Sequence, residues 1–190
     1  MEMKVDFGNK FELGLGYDEF LAKFGTDEHR RRWHAVHDQV RLTDPQRDLL
    51  VSFTREMKVL VSAGTWCGDC VNQCPIFSHF GALNAKIRIH FFDRDDSPDL
   101  ADAISICGAH RVPSLLFLSE DNHVCGRYGD RTLSKYREMA QQQVGASCPT
   151  GITPPEQSLL ESVTQEWLDE FERIQWMLRT SGRLRQLHGD

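Results

Sequence analysis

Ala63-Gly64-Thr65-Trp66-Cys67-Gly68-Asp69-Cys70 is the stretch whose reading decides the fold. Two thiols separated by two residues sit where an apolar, partly β-branched run, Lys58 to Ala63, gives way to a helical period that continues from Val71 to Leu83. The run has the composition of a buried parallel strand. Cys67 therefore falls at the first turn of a helix, where unpaired backbone N–H groups gather, and that placement suggests thiol-disulfide chemistry.

Downstream, Val71, Cys74, Phe77, Phe80 and Leu83 keep a helical period with Pro75 inside it, which is expected to kink the helix. Ile87 to Phe92 reads as the next strand, so strand, helix and strand form a βαβ unit with parallel strands. Ser97-Pro98 opens a helix with Leu100, Ala103, Ile104 and Cys107 on its apolar face, ended by Gly108. Then come Arg111-Val112-Pro113-Ser114, a strand over Leu115 to Leu118, a turn at Glu120-Asp121-Asn122 and an antiparallel partner over Val124 to Tyr128. Thr132 is the expected cap of a helix with Leu133, Tyr136, Ala140 and Val144 on one face. Gly145 to Pro155 reads as a linker. A capping box, Thr153 with Glu156, is expected to start a last helix with Leu160, Val163, Trp167, Phe171, Ile174 and Leu178 in one stripe. So long a stripe must be buried, either on the same chain or on a second subunit.

Upstream, a short strand is expected around Phe11 to Leu15. Tyr17, Phe20, Leu21 and Phe24 form a helical face stopped by Gly25; Thr26 caps the next helix, which carries Trp33, Val36, His37 and Val40 on one side. Arg30-Arg31-Arg32 reads as a solvated face. His29, His34 and His37 fall on different faces, with no carboxylate or thiol converging on them as a metal site needs. Asp44-Pro45 starts a further helix backed by Leu49, Leu50 and Phe53, which makes the first 56 residues mainly helical.

The 190 residues suffice for one real core with additions. A 40% hydrophobic and 26% charged composition excludes disordered and fibrous classes, and a net charge of −6 supplies no attraction for nucleic acid or an anionic membrane, so neither is expected as a partner. No signal-peptide core or long apolar run is present, and the chain reads as cytoplasmic. Six cysteines, at 67, 70, 74, 107, 125 and 148, are too few and too unevenly spaced for a secreted disulfide framework.

Trp66-Cys67-Gly68-Asp69-Cys70 with Pro75 behind it, Val112-Pro113 ahead of a strand, and Gly129 after the hairpin together resemble the thioredoxin family over residues 57–145. The resemblance implies an α/β, thioredoxin-like fold: a central mixed sheet of four or five strands flanked by helices. Residues 1–56 are then a helical N-terminal extension, and residues 146–190 a linker and a C-terminal amphipathic helix. It further implies a thiol-disulfide oxidoreductase with Cys67 as nucleophile and Cys70 as resolving thiol. Trp66, Gly68, Asp69, Val112 and Pro113 are the implied supporting and substrate-binding residues, with Pro113 a cis-proline that leaves the Val112 backbone open to a substrate strand. No bound cofactor is expected. The implied partners are a disulfide-containing protein or small molecule and an external reductase or low-molecular-weight thiol, with the added helices a candidate homodimer surface.

Three departures qualify the resemblance. Asp69 stands where the family usually has proline, and its carboxylate is expected to repel a Cys67 thiolate by about 1 kcal/mol when solvated. The family's buried acid and its partner lysine fall on Val61 and near Ile89, which leaves Asp69 or water as the candidate proton acceptor for Cys70. Cys74, one turn beyond Cys70, invites a metal-thiolate reading with His79 or Cys107, against which stands the lack of a second Cys-x-x-Cys. Cys74 and Cys107 otherwise read as core, and Cys125 and Cys148 carry no functional signal. The competing reading from another class is a binding or redox-sensing scaffold without turnover.

Overall fold

A computed structural model describes residues 5–144 and 158–190. The first element is α1 (Phe7–Glu12), capped by the Asp6 carboxylate, which accepts from the Asn9 N–H at 3.1 Å. It replaces the strand expected near Phe11: Phe11 is fully buried within the helix, and Leu15 adds only one antiparallel bridge to Phe91. Helices α2 (Tyr17–Phe24), α3 (Asp27–His37) and α4 (Asp44–Val51) follow, ended or capped by Gly25, Thr26 and Thr43. Of the three consecutive arginines, Arg31 and Arg32 are exposed, while Arg30 pairs with Asp27 and donates to the Gly25 carbonyl at 2.5 Å.

Strand β1 (Met57–Ala63) is buried at every position and leads into α5 (Gly68–Leu83), which continues through Pro75. Strand β2 (Ile87–Asp93) pairs parallel with β1, Val61 lying opposite Phe91. Helix α6 (Pro98–Ala103) is shorter than its sequence period. The backbone leaves the helix at Ile104, and a turn closed by reciprocal Ile106–Ala109 bonds places Cys107 and Gly108 at φ 51° and 72°. Such a turn needs positive φ at both central residues, which Gly108 accepts readily. Cys107 is consequently exposed, not part of the core. Strands β3 (Ser114–Ser119) and β4 (Val124–Gly129) complete an antiparallel hairpin, and β3 runs antiparallel to β1. Among the described residues the result is one mixed sheet of four strands in the order β2-β1-β3-β4.

Because successive strand residues point to opposite faces, the sheet divides the apolar residues between two cores. Leu60, Phe92, Leu116 and Leu118 meet Phe11, Leu100 and Ile104 on the side covered by α1 and α6. Val59, Val61, Phe91, Leu115 and Phe117 face the larger core with Trp33, Phe77 and Phe80. After the hairpin, α7 (Leu133–Val144) departs from expectation twice: Leu133 and Tyr136 are exposed, and the buried Thr132 hydroxyl has no hydrogen-bond partner among the described residues. The cap comes from elsewhere in the chain. Glu166 accepts from the Ser134 N–H at 3.0 Å and from its hydroxyl at 3.0 Å, which holds Ser134 inward at the start of this helix.

The expected linker and the Thr153–Glu156 box lie outside the described residues. Helix α8 (Leu159–Thr180) begins at a different box, Ser158 with Glu161, and α9 (Gly182–His188), not anticipated, buries Leu184. The stripe on α8 is filled within the chain: Val163, Trp167, Phe171, Ile174 and Leu178 are buried in the larger core, and the Phe171 ring centre lies 5.2 Å from those of Phe80 and Phe117. Truncating Phe171 to Ala should therefore cost about 3–5 kcal/mol of unfolding free energy in urea titrations. Leu133→Ala, on the exposed face of α7, should cost less than about 0.5 kcal/mol.

Candidate active site at the start of the central helix

The turn joining β1 to α5 is fixed before either thiol is considered. The Cys67 N–H donates to the Gly64 carbonyl at 3.0 Å, and the Cys67 carbonyl accepts the first bond of α5 from Val71, also at 3.0 Å. A Cβ at Gly64 would sit 2.7 Å from the Trp66 ring, so glycine lets the indole fold back over the turn. Trp66 remains 45% exposed, with the Arg94 guanidinium 4.7 Å from the ring centre. Thr65 is buried and tied to the N-terminal helices. Its carbonyl accepts from the Trp33 indole at 2.8 Å, and its hydroxyl reaches the Phe24 carbonyl and His29 Nδ1, each at 3.1 Å.

The two sulfurs differ in access. Cys67 is partly exposed at the helix N-cap, whereas Cys70 is fully buried and its sulfur accepts from the Gly64 N–H at 3.4 Å. Both are free thiols, as are Cys74, Cys107 and Cys125; Cys148 lies outside the described residues. The Val112–Pro113 bond is cis, and the Cys67 thiol donates to the Val112 carbonyl at 3.5 Å. The structure thus brings Trp66, Cys67, Cys70, Val112 and Pro113 to one place. Gly68 is exposed with open space above its Cα.

Contact with the Cys70 thiol, followed by burial, pushes the Cys67 thiol above its ordinary range, while the backbone N–H groups of Asp69 and Cys70 pull it back. Burial also pushes Cys70 up. The helix N-terminus is present, as the sequence implied, but it is outweighed. Val61 is fully buried between Phe91 and Leu115, so no carboxylate stands at that position.

Asp69 is not the solvated carboxylate that its sequence position suggests. Arg131 Nη2 lies 2.6 Å from it, and the same guanidinium reaches Asp130 at 2.9 Å. Asp130, with only 4% of its side chain exposed, also accepts from Arg111 at 3.1 Å and from the Tyr136 hydroxyl, and it follows a second cis bond, Gly129–Asp130. These donors hold the Asp130 carboxyl below its usual range against the opposing effect of burial. Gly129 has φ 142°, and a Cβ there would lie 2.5 Å from the Pro113 carbonyl, so this loop rests directly on the cis-proline. Behind it, the buried Gln73 amide donates to the Asp130 carbonyl at 3.0 Å and accepts from the Trp167 indole at 2.9 Å.

Sequence reasoning missed Gln73, Trp33, Trp167, Asp130 and Arg131. Only Gly129, singled out beside the last two, was a usable signal. Of the residues weighed for metal, Cys74 is buried beside Cys70, Cys107 is exposed on a distant turn, and His79 stacks on His37 with ring centres 4.2 Å apart. Among the described residues, no cluster of three or more His, Cys, Asp or Glu side chains is arranged to hold a metal ion.

Comparison with known proteins supplies the context. No curated protein matches the sequence. Among solved structures, a Pseudomonas aeruginosa protein of unknown function superposes with a TM-score of 0.71 at 15% identity, covering 90% of this chain and 97% of the other. An HIV epitope-scaffold gives 0.68 at 16% identity, with the same coverage of 90% and 97%. At these identities the likeness shows the fold, and at this coverage it takes in terminal helices as well as the sheet. The family model described as Thioredoxin matches residues 14–143, so it starts well before the region 57–145 to which the motifs confined the resemblance. The chain belongs to the thioredoxin family.

Proposed function

We propose that the protein is a thiol-disulfide oxidoreductase that reduces protein or small-molecule disulfides through Cys67 and Cys70. The observation that carries this reading is the pairing of a partly exposed Cys67, its sulfur 3.5 Å from the Val112 carbonyl beside a cis-proline, with a fully buried Cys70 behind it. An attacking thiol must be reachable. A resolving thiol must be near it yet shielded from competing substrates.

In the proposed reaction, the Cys67 thiolate attacks one sulfur of the substrate disulfide, forming a mixed disulfide and releasing the other sulfur as a thiolate that takes up a proton. Cys70 then loses its proton and attacks Cys67 Sγ. The S–S bond to the substrate breaks, the second substrate thiol leaves, and the protein retains a Cys67–Cys70 disulfide. Two electrons and two protons have passed to the substrate. An external reductase or low-molecular-weight thiol returns them, which suits a reducing compartment such as the cytoplasm. Trp66 offers an apolar surface beside the sulfur, and Val112 a backbone edge for an extended substrate segment.

A second reading has two observations in its favour. Both thiols are pushed above their ordinary range, and the position of the usual buried acid holds Val61, which fits a scaffold or sensor whose dithiol turns over slowly or not at all. Trapping separates the two. Cys70→Ser should accumulate mixed disulfides on Cys67 that dithiothreitol releases, and the wild type should reduce insulin. Absence of trapped species together with no insulin reduction replaces the enzyme by the scaffold.

The direction of the Cys67 shift sets a further expectation. A raised folded-state value keeps the thiol protonated at neutral pH, so alkylation by iodoacetamide should keep accelerating through pH 9 without a plateau near neutrality. Cys70→Ala removes the leading cause of the shift and should move the whole profile to lower pH. An early plateau in the wild type, measured by intact mass, contradicts this.

A further inference from the structure

The carboxylate between the two cysteines is not left to act on them alone. Asp69 and Arg131 form a largely buried pair, their side chains 15% and 20% exposed, and the other arm of the guanidinium is held by Asp130. Asp130 is itself fixed by Arg111 and Tyr136, and its backbone carbonyl is held by Gln73. Arg131 therefore joins two halves of the site that are far apart in sequence: the first turn of α5, and the Gly129–Asp130 loop that rests on Pro113.

We propose that Arg131 is a positioning residue for the dithiol: by pairing with Asp69 it neutralises the acid that stands between the two cysteines in sequence and pins the helix start to the cis-proline loop, thereby setting the reactivity of Cys67. This rests on the dithiol reading for its biological consequence. The chemistry it invokes is local. A lone carboxylate in the Cys-Gly-Asp-Cys turn destabilises a developing thiolate, whereas a guanidinium that bridges Asp69 and Asp130, one nitrogen on each, offsets that field and restrains the Asp69 carboxylate.

The charged and titratable groups facing the dithiol define what else contributes. Cys74 lies behind Cys70 on α5, and Tyr17 of α2 faces Cys74. From the end of β2 come Asp93 and Arg94, with Asp95 paired to Arg94 at 2.8 Å. His29 of α3 reaches Thr65, and Arg111, Asp130 and Tyr136 complete the far side. Among these, Arg131 is the cation in contact with the acid of the motif.

The test is a charge cycle read by the pH dependence of Cys67 alkylation, which reports on the thiol whether or not the protein turns over a substrate. Arg131→Met should slow alkylation at pH 8 by roughly fivefold, the effect of one uncompensated charge at about 4 Å in water. Asp69→Asn should accelerate it, and Asp69→Asn/Arg131→Met should return close to the wild type. Arg131→Lys, which keeps the charge but loses the fork, should fall between the wild type and Arg131→Met. A merely structural role predicts equal slowing or none in both single variants, and either result overturns the proposal. Should Arg131→Met fail to fold, judged by circular dichroism, the Asp69→Asn arm decides: unchanged or slower alkylation overturns it. Failure of disulfide trapping together with an intact cycle would instead remove the oxidoreductase reading while leaving the role of Arg131 standing.

Discussion

A single buried amide ties the terminal addition to the site. Gln73, one helical turn beyond Cys70, donates to the Asp130 carbonyl and accepts from the Trp167 indole. An amide buried to this degree must satisfy both its donor and its acceptor sides, since leaving either unpaired costs about 1–3 kcal/mol. The two partners are therefore constraints on the fold as well as contacts. Through Gln73 the C-terminal helix α8 holds α5, and α5 holds the loop that lies on Pro113. Trp33 does the corresponding work on the other side, where its indole fixes the Thr65 carbonyl just ahead of the dithiol. Both terminal additions thus end in an indole N–H that holds backbone or side chain next to the cysteine pair.

The electrostatics follow from that frame. Contact with Cys70, then burial, disfavours ionisation of Cys67, and burial disfavours that of Cys70, while the helix N–H groups favour ionisation of Cys67. Asp69 adds an acid between the two cysteines in sequence, and Arg131 pairs with it. The balance differs from that of a site relying on a buried carboxylate beneath the resolving thiol, since Val61 fills that place with hydrocarbon. What remains is a dithiol held protonated at rest, in a site whose backbone carbonyl and exposed indole lie beside the accessible sulfur.

Much of the sheet and the centre of the site were legible in the sequence because they rest on short-range patterns. The apolar run into β1, the helical period of α5 and the spacing of Cys67, Cys70 and Val112-Pro113 are local signals, and the structure gathers those residues. Local patterns also misled. The period of α6 continues through Cys107 in sequence, but reciprocal bonding of Ile106 with Ala109 ends the helix and turns Cys107 outward. Leu133 and Tyr136 share a helical face that proves to be the exposed one, while Glu166 holds Ser134 inward at the start of α7. Helix α1 forms where the sequence suggests a short strand around Phe11 to Leu15, because its stability depends on the Asp6 cap and on burial of Phe11, not on period. The Asp69–Arg131 and Gln73–Trp167 pairs join residues far apart in the chain, so no spacing rule announces them.

The proposed function requires Cys67 and Cys70 to interconvert between dithiol and disulfide as one two-electron couple. The direct measurement is equilibration of the full chain in buffers of graded oxidised and reduced dithiothreitol, with the state of each cysteine read by alkylation and intact mass. The prediction is a single transition in which both thiols become unreactive together, with a slope of about 30 mV per tenfold change in the couple. Persistence of both thiols under fully oxidising buffer, or independent oxidation of Cys67 alone, would contradict it.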